Sequence, residues 1–352
     1  MKQTSRGQSK PAVRRRAETP TARDIGELIA DLGGIWGPPG REDAVRQHVV
    51  REISSHVDHM QISPLGAVHA IAGHGAQPRI MIAAHMDEVG VMVSHLDSSG
   101  FARFGLLGKK DSEGLVGHTV RFTGELLGLV RAEAGTTNRA VSLDKLFLDF
   151  GSPERVGPRI KIGDVGCLVS EQRRIGDRFI GSNAGGRSGV ALLIHTLQSL
   201  ARPSGEVQFV FSVQGEFGGD GGLTSATTLG PQAALIVGAA PADDIPGGSI
   251  DPIRLGGGPV LVVRHGSTAS HPRVLETITS VAKKRKIGTQ SATLEASLPG
   301  AGLPSANGGV MTAWICIPCR GHHTASEMVD LGDVEATALL LTALAQSRLE
   351  WM

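Results

Sequence analysis

The sequence predicts an α/β protein, a mixed sheet flanked by helices, interrupted by an inserted all-β domain. Two observations carry this. Apolar stretches of strand character alternate with amphipathic stretches at helical spacing toward both ends of the chain, the pattern of a sheet covered by helices. Between about residues 91 and 175 the alternation gives way to short β-like pieces, HTVRFTG, ELLGLVRAE and KLFLDFG, separated by glycines and closed by RIKIGDVGCLV. The expected organisation is a basic tail over 1–23, an α/β domain built from 24–90 and 176–352, and the insertion at 91–175.

The elements follow in order. DIGELIADLGGIWG places Ile25, Leu28, Ile29 and Leu32 on one helical face, GPPG breaks the pattern, and EDAVRQHVVREISSHV resumes it. PRIMIAAHMDEVGVMV is a dense apolar run carrying His85, Asp87 and Glu88, which suits a buried strand presenting polar groups at its C-terminal end. After the insertion come the helix GVALLIHTLQSL and the strands VQFVFSVQ, AALIVG and PVLVVR. The helix PRVLETITSVAKKR, a strand in TAWICIP ending at Pro318, and a terminal helix from about Asp333 complete the chain.

Composition narrows the function classes. The 352 residues are 40% hydrophobic and 20% charged, enough to bury a large core over two domains. The formal charge of +1 conceals an asymmetry, because residues 1–23 hold seven Lys or Arg against the single acid Glu18. That tail lacks the apolar core of a signal peptide and reads as disordered. No stretch reaches the roughly 18–20 apolar residues of a membrane span. Cys167, Cys316 and Cys319 are too few for a disulfide framework and fit a reducing cytoplasm. Cys316 and Cys319 form a C-x-x-C inside an apolar run, which reads as a buried strand and not a redox or metal motif. Without tyrosine, and with only 3% aromatics, the chain lacks stacking platforms for nucleic acid. GGRSG and LGGGP match neither G-x-G-x-x-G nor a P-loop. His265 and His271 read as structural.

Chemistry at two metal ions requires a bridging carboxylate, His and carboxylate ligands on either side, and a further carboxylate as general base. AHMDEVG, GFARF, LDFGS with IKIGD, GGRSG, VQGEFG, GGGPV with SHP, and IPCRGHHTASEMVD occur here in an order and spacing that resembles the tetrahedral, glutamyl-type aminopeptidases of metallopeptidase family 42. The resemblance runs from about Asp24 to the C-terminus. It implies a di-zinc aminopeptidase-like α/β domain, an inserted β-barrel used in dimerisation, and homodimers that build hollow dodecamers acting on peptides. His85 matches a metal ligand, Asp87 the acid that orients it, Glu216 a terminal carboxylate ligand and His323 the late histidine ligand.

Three positions depart from that pattern. The resemblance puts the bridging aspartate at Gly185, the general-base glutamate at Gly215 and a strand-end aspartate ligand at Gly238. The substrate-site pair falls at Leu298 and Pro299. His85, Glu216 and His323 remain as residual ligands for Zn²⁺ or Co²⁺, or for no ion at all, with His322 or Asp220 as replacement ligands. The expectation is a non-catalytic structural, regulatory or binding homologue; the alternative is a peptide hydrolase with a rebuilt mononuclear site.

Overall fold

The computed structural model describes residues 22–108, 112–136, 141–155, 159–169, 171–249 and 253–347, so most of the basic tail lies outside the described residues. Six helices are present among them: α1 (Ile25–Gly33), α2 (Asp43–Ile53), α3 (Ala184–Ser199), α4 (Asp220–Leu229), α5 (Pro272–Arg285) and α6 (Leu331–Gln346). The first strands are β1 (His59–Ile62), β2 (Val68–Ala72) and β3 (Arg79–His85). The inserted strands follow as β4 (Gly90–Leu96), β5 (Phe101–Leu107), β6 (Thr119–Phe122), β7 (Leu127–Ala132), β8 (Leu146–Asp149) and β9 (Val165–Val169). The chain returns through β10 (Arg173–Ile175), β11 (Arg178–Gly181), β12 (Glu206–Ser212), β13 (Ala233–Ala242) and β14 (Val260–His265). The last strands are β15 (Thr268–Ala269), β16 (Gln290–Leu294), β17 (Met311–Arg320) and β18 (Glu327–Asp330).

The main sheet is mixed, in the order β1-β2-β12-β3-β13-β17-β18-β11-β10, with β14 joining β17 and carrying β15 and β16. Its centre is parallel: β3 lies between β12 and β13, and β13 pairs with β17. One face is covered by α1, α2, α3, α5 and α6 around a core that includes Leu28, Ile82, Phe209, Leu235 and Leu341. The opposite face buries Met81, Val210, Ile236 and Trp314 beneath α4 and the turn Leu303–Gly308. The insertion closes into a barrel, β4-β5-β8-β7-β6-β9, whose interior holds Val91, Phe104, Val120, Leu146 and Leu148. Alternation of buried and exposed residues along β6 and β8 is what one filled interior and one outer face require. No helix among the described residues is long and apolar enough to cross a membrane.

Local chemistry sets the boundaries. Asp24 caps α1 by accepting from the Glu27 N–H at 3.0 Å, and Asp330 caps α6 by accepting from the Asp333 N–H at 3.1 Å. Pro272 opens α5, where its missing N–H costs nothing. Helix α3 is buried almost all round, pressed onto the sheet at Ala84 and Val237. The strand of TAWICIP does not end at Pro318 as the sequence predicts. It continues to Arg320, and Pro318 is accommodated because it falls between the stretches of β17 that pair with β14 and β18, with only β13 registered against it. Strand alternation sends Cys316 and Cys319 into cores on opposite faces of the sheet, so they cannot act as a pair.

A buried ion pair locks the first helices to the centre of the sheet. Arg187 of α3, 1% exposed, donates to the carbonyls of Met86 and Ile35 and lies 3.2 Å from Glu88, which also accepts from the Gly37 N–H. Replacing Arg187 by Met leaves the Glu88 charge and two carbonyls unpaired. Urea denaturation of Arg187→Met is expected to show a loss of about 3–5 kcal/mol, the range for breaking a buried pair from one side.

Candidate functional site

The parallel strands β3, β12 and β13 run in one direction, and their C-terminal ends carry the polar groups, as expected where α/β sheets place ligands. His85 ends β3, Gly215 and Glu216 follow β12, Gly238 lies in β13, Gly185 and Gly186 open α3, and His323 lies in the turn after β17. A cavity of about 230 Å³ forms between them, lined by His85, Gly215, Glu216, Gly238 and His323 among others. Leu298 and Pro299 form part of its wall. His322 lines it too and stacks on His323 with ring centroids 3.8 Å apart. Gly185 stands one residue behind the lining residue Gly186. Asp220 begins α4, but its side chain lies outside the described residues.

Asp87 is fully buried behind His85. Its carboxylate lies 3.2 Å from His85 Nδ1 and accepts from the backbone N–H groups of Gly215 at 2.7 Å and Glu216 at 2.8 Å. Burial alone would raise the Asp87 pKa, but the bonded His85 and the two N–H groups hold it below the usual carboxylate value. For His85, burial pulls the imidazole down, and the hydrogen bond and charge of Asp87, aided by Glu216, outweigh it and raise the pKa to about 9.

A two-metal centre can be tested against these groups. His85 Nε2 lies 3.9 Å from one Glu216 oxygen, and His323 Nε2 lies 3.9 Å from the other. Two ligands on one tetrahedral Zn²⁺, each about 2.0–2.1 Å from the ion, stand only about 3.4 Å apart. Neither imidazole stands as close to Glu216 as two ligands of one ion would. Among the described residues, no three His, Cys, Asp or Glu side chains are grouped to hold an ion. The side chains present among the described residues do not fit a pair of catalytic metals.

The three glycines differ in the space they leave. A Cβ built on Gly215 would lie 2.3 Å from His85 Cβ, and one on Gly185 would lie 2.6 Å from Ala239 Cβ. The Gly185 N–H is itself taken by Glu327 at 2.9 Å, whose other oxygen accepts from the His323 N–H at 2.9 Å. At Gly238 nothing lies within 4 Å of an added Cβ. Neighbours occupy the space of a side chain at two of the positions and leave the third open. Glu327, 3% exposed, is a carboxylate bonded to the backbone beside this cleft that sequence reasoning missed. The available signal was an acid beginning EMVD directly after HHTAS, at the start of a short strand.

Two outcomes are expected. Gly185→Asp and Gly215→Glu should each lower stability by about 1–3 kcal/mol, the cost of overpacking, whereas Gly238→Asp should leave the urea midpoint nearly unchanged. His85, with its folded pKa raised, contributes stability that is fully present below about pH 6.5 and is lost as pH rises through about 9. Urea midpoints recorded from pH 7 to 10 should fall with that midpoint in the wild type, and this component should be absent from His85→Gln.

Comparison with known proteins agrees with this architecture. The family model for M42 glutamyl aminopeptidase matches residues 66–340. The lysyl aminopeptidase of Pyrococcus furiosus is 29% identical over 344 residues, covering 91% of this chain and 96% of that protein. The solved aminopeptidase APDkam598 from the archaeon Desulfurococcus kamchatkensis superposes with a TM-score of 0.87 at 31% identity, covering 93% of this chain and 96% of the other. The Pyrococcus horikoshii TET1 peptidase, which can assemble into a tetrahedron or a large octahedral shell, shares the fold at 24% identity with a TM-score of 0.81, covering 91% of this chain and 99% of that one. The match over most of the chain, together with the barrel inserted after β3, makes this protein a member of the M42 glutamyl aminopeptidase family.

Proposed function

We propose that this family member has given up two-metal peptide hydrolysis and serves as a structural, regulatory or binding homologue that uses the former catalytic cleft as a pocket. The observation that carries this reading is the occupation of the space at Gly185 and Gly215 by Ala239 and His85, at the two positions where the family resemblance expects the bridging carboxylate and the general base. Removal of a general base alone costs about 10²- to 10⁴-fold in rate. Loss of a bridging ligand also weakens metal affinity. His85 and Asp87 then persist as a buried, hydrogen-bonded pair holding the turn after β12.

A second reading is favoured by one feature, the placement of Glu216 at 3.9 Å from both His85 Nε2 and His323 Nε2. A modest movement of these side chains would let Glu216 and His323 hold one Zn²⁺ or Co²⁺ and support a mononuclear aminopeptidase acting on peptide N-termini. The two readings part on a direct assay. Release of p-nitroaniline from a panel of aminoacyl substrates, with excess Zn²⁺, Co²⁺ or Mn²⁺, should remain at background for the wild type and for Glu216→Ala alike. Turnover in the wild type that disappears in Glu216→Ala would establish the mononuclear enzyme.

The inserted barrel is proposed as a self-association surface, by analogy with the shells formed by the Pyrococcus horikoshii relative. A cytoplasmic location is part of the same proposal and is supported by three buried free cysteines. Light scattering after size exclusion should return a homo-oligomer; a monomer at micromolar concentration would remove this part of the account.

A further inference from the structure

One wall of the cavity is the segment Ser297–Gly302, all six residues of which line it. Two buried aromatic side chains hold this segment by its backbone. His265, at the end of β14 and fully buried, accepts the Leu298 N–H on Nδ1 at 3.1 Å. Trp314, on β17 and 1% exposed, donates its Nε1–H to the Pro299 carbonyl at 2.9 Å. The two rings meet edge to face, with centroids 4.3 Å apart.

The hydrogen bond fixes the state of His265. A backbone N–H only donates, so Nδ1 must carry the lone pair, the ring must be neutral, and its proton must sit on Nε2. Among the described residues Nε2 has no hydrogen-bond partner. The nearest ring is Trp314, and an N–H directed at an indole gives only a weak interaction. Protonation would turn Nδ1 into a second donor facing the Leu298 N–H, and the contact would become repulsive.

We propose that His265 is an acid-sensitive latch: neutral, it pins the Ser297–Gly302 wall against the sheet, and on protonation it releases that wall and reshapes the pocket. The proposal rests on the reading of this cleft as a binding pocket, but its test does not depend on any metal or activity.

The surroundings of the ring offer no counter-charge. Its register partners are Thr268 on β15 and Leu294 on β16. On β17 it meets Trp314, and the Cys316 thiol on the same face of that strand is neutral, pushed up to about 12 by burial. The adjacent Arg264 is turned away, 2.7 Å from Glu295 and bonded to the Gly266 carbonyl. Burial therefore acts alone and pushes the His265 pKa below its ordinary value. The sign follows: the latched state is undisturbed above about pH 6.5 and loses stability as pH falls below that value, because the released, solvated ring takes up the proton more readily.

Hydrogen–deuterium exchange of segment 296–302, corrected for the intrinsic pH dependence of exchange, reads the latch directly, with β12 as the control for global unfolding. Wild-type protection in this segment should be high at pH 8 and lost toward pH 5 while β12 stays protected. His265→Asn, whose Oδ1 can accept the same N–H but does not titrate, should remain protected at both pH values. His265→Leu should be unprotected at both. Trp314→Phe should lower protection at both while keeping a pH response. The proposal is overturned if the wild type shows no change between pH 8 and 5, or if His265→Asn responds to pH as the wild type does. Either of those results would leave the proposed loss of catalysis untouched.

Discussion

The Asp87 carboxylate is the charge on which the geometry of the cleft depends. It is wholly buried, and it survives as an anion because His85 and the N–H groups of Gly215 and Glu216 all point at it. Those partners come from two different segments, the end of β3 and the turn after β12. The same interaction that orients His85 therefore also fixes the backbone from which Glu216 projects. Behind it, the Arg187–Glu88 pair ties α3 and the first helices to the residues just after β3. Charges satisfied by backbone groups hold the floor of the cleft.

This arrangement explains why glycine is a coherent outcome at the altered positions. Carboxylates clustered around two divalent cations repel one another once the cations are gone, and the remedy is to protonate them or to remove them. At two of the positions where the family resemblance expects carboxylates, neighbouring atoms stand within reach of an added side chain: His85 at Gly215, and Ala239 with Glu327 at Gly185. Gly238 faces open space. The pocket is lined by several glycines, two stacked imidazoles, a glutamate and a segment held from behind by His265 and Trp314.

Much of this was legible in the residues. The alternation of strand and helix patterns, the switch to short β pieces and the polar end of PRIMIAAHMDEVG give the sheet, the barrel insertion and the position of the cleft. Helix α4 was not legible, because half of DGGLTSATTL is glycine and threonine, poor helix formers, and it is helical through packing on the sheet. Nor was Glu327, whose role depends on which backbone N–H groups it reaches across the fold. The continuation of β17 through Pro318 depended on a gap between two partner strands that no local pattern reports. Sequence could mark Gly185, Gly215 and Gly238 as departures from the family pattern, but only their three-dimensional neighbours show how much space surrounds each one.

The central claim is that these neighbours have dismantled the metal centre. The measurement that tests it most directly is metal content by mass spectrometry on protein incubated with excess Zn²⁺, Co²⁺ or Mn²⁺ and then desalted. The account predicts a stoichiometry near zero for every ion. One or more tightly held ions per chain would contradict it and would mean that His85, Glu216 and His323, or ligands beyond them, move together to rebuild a site.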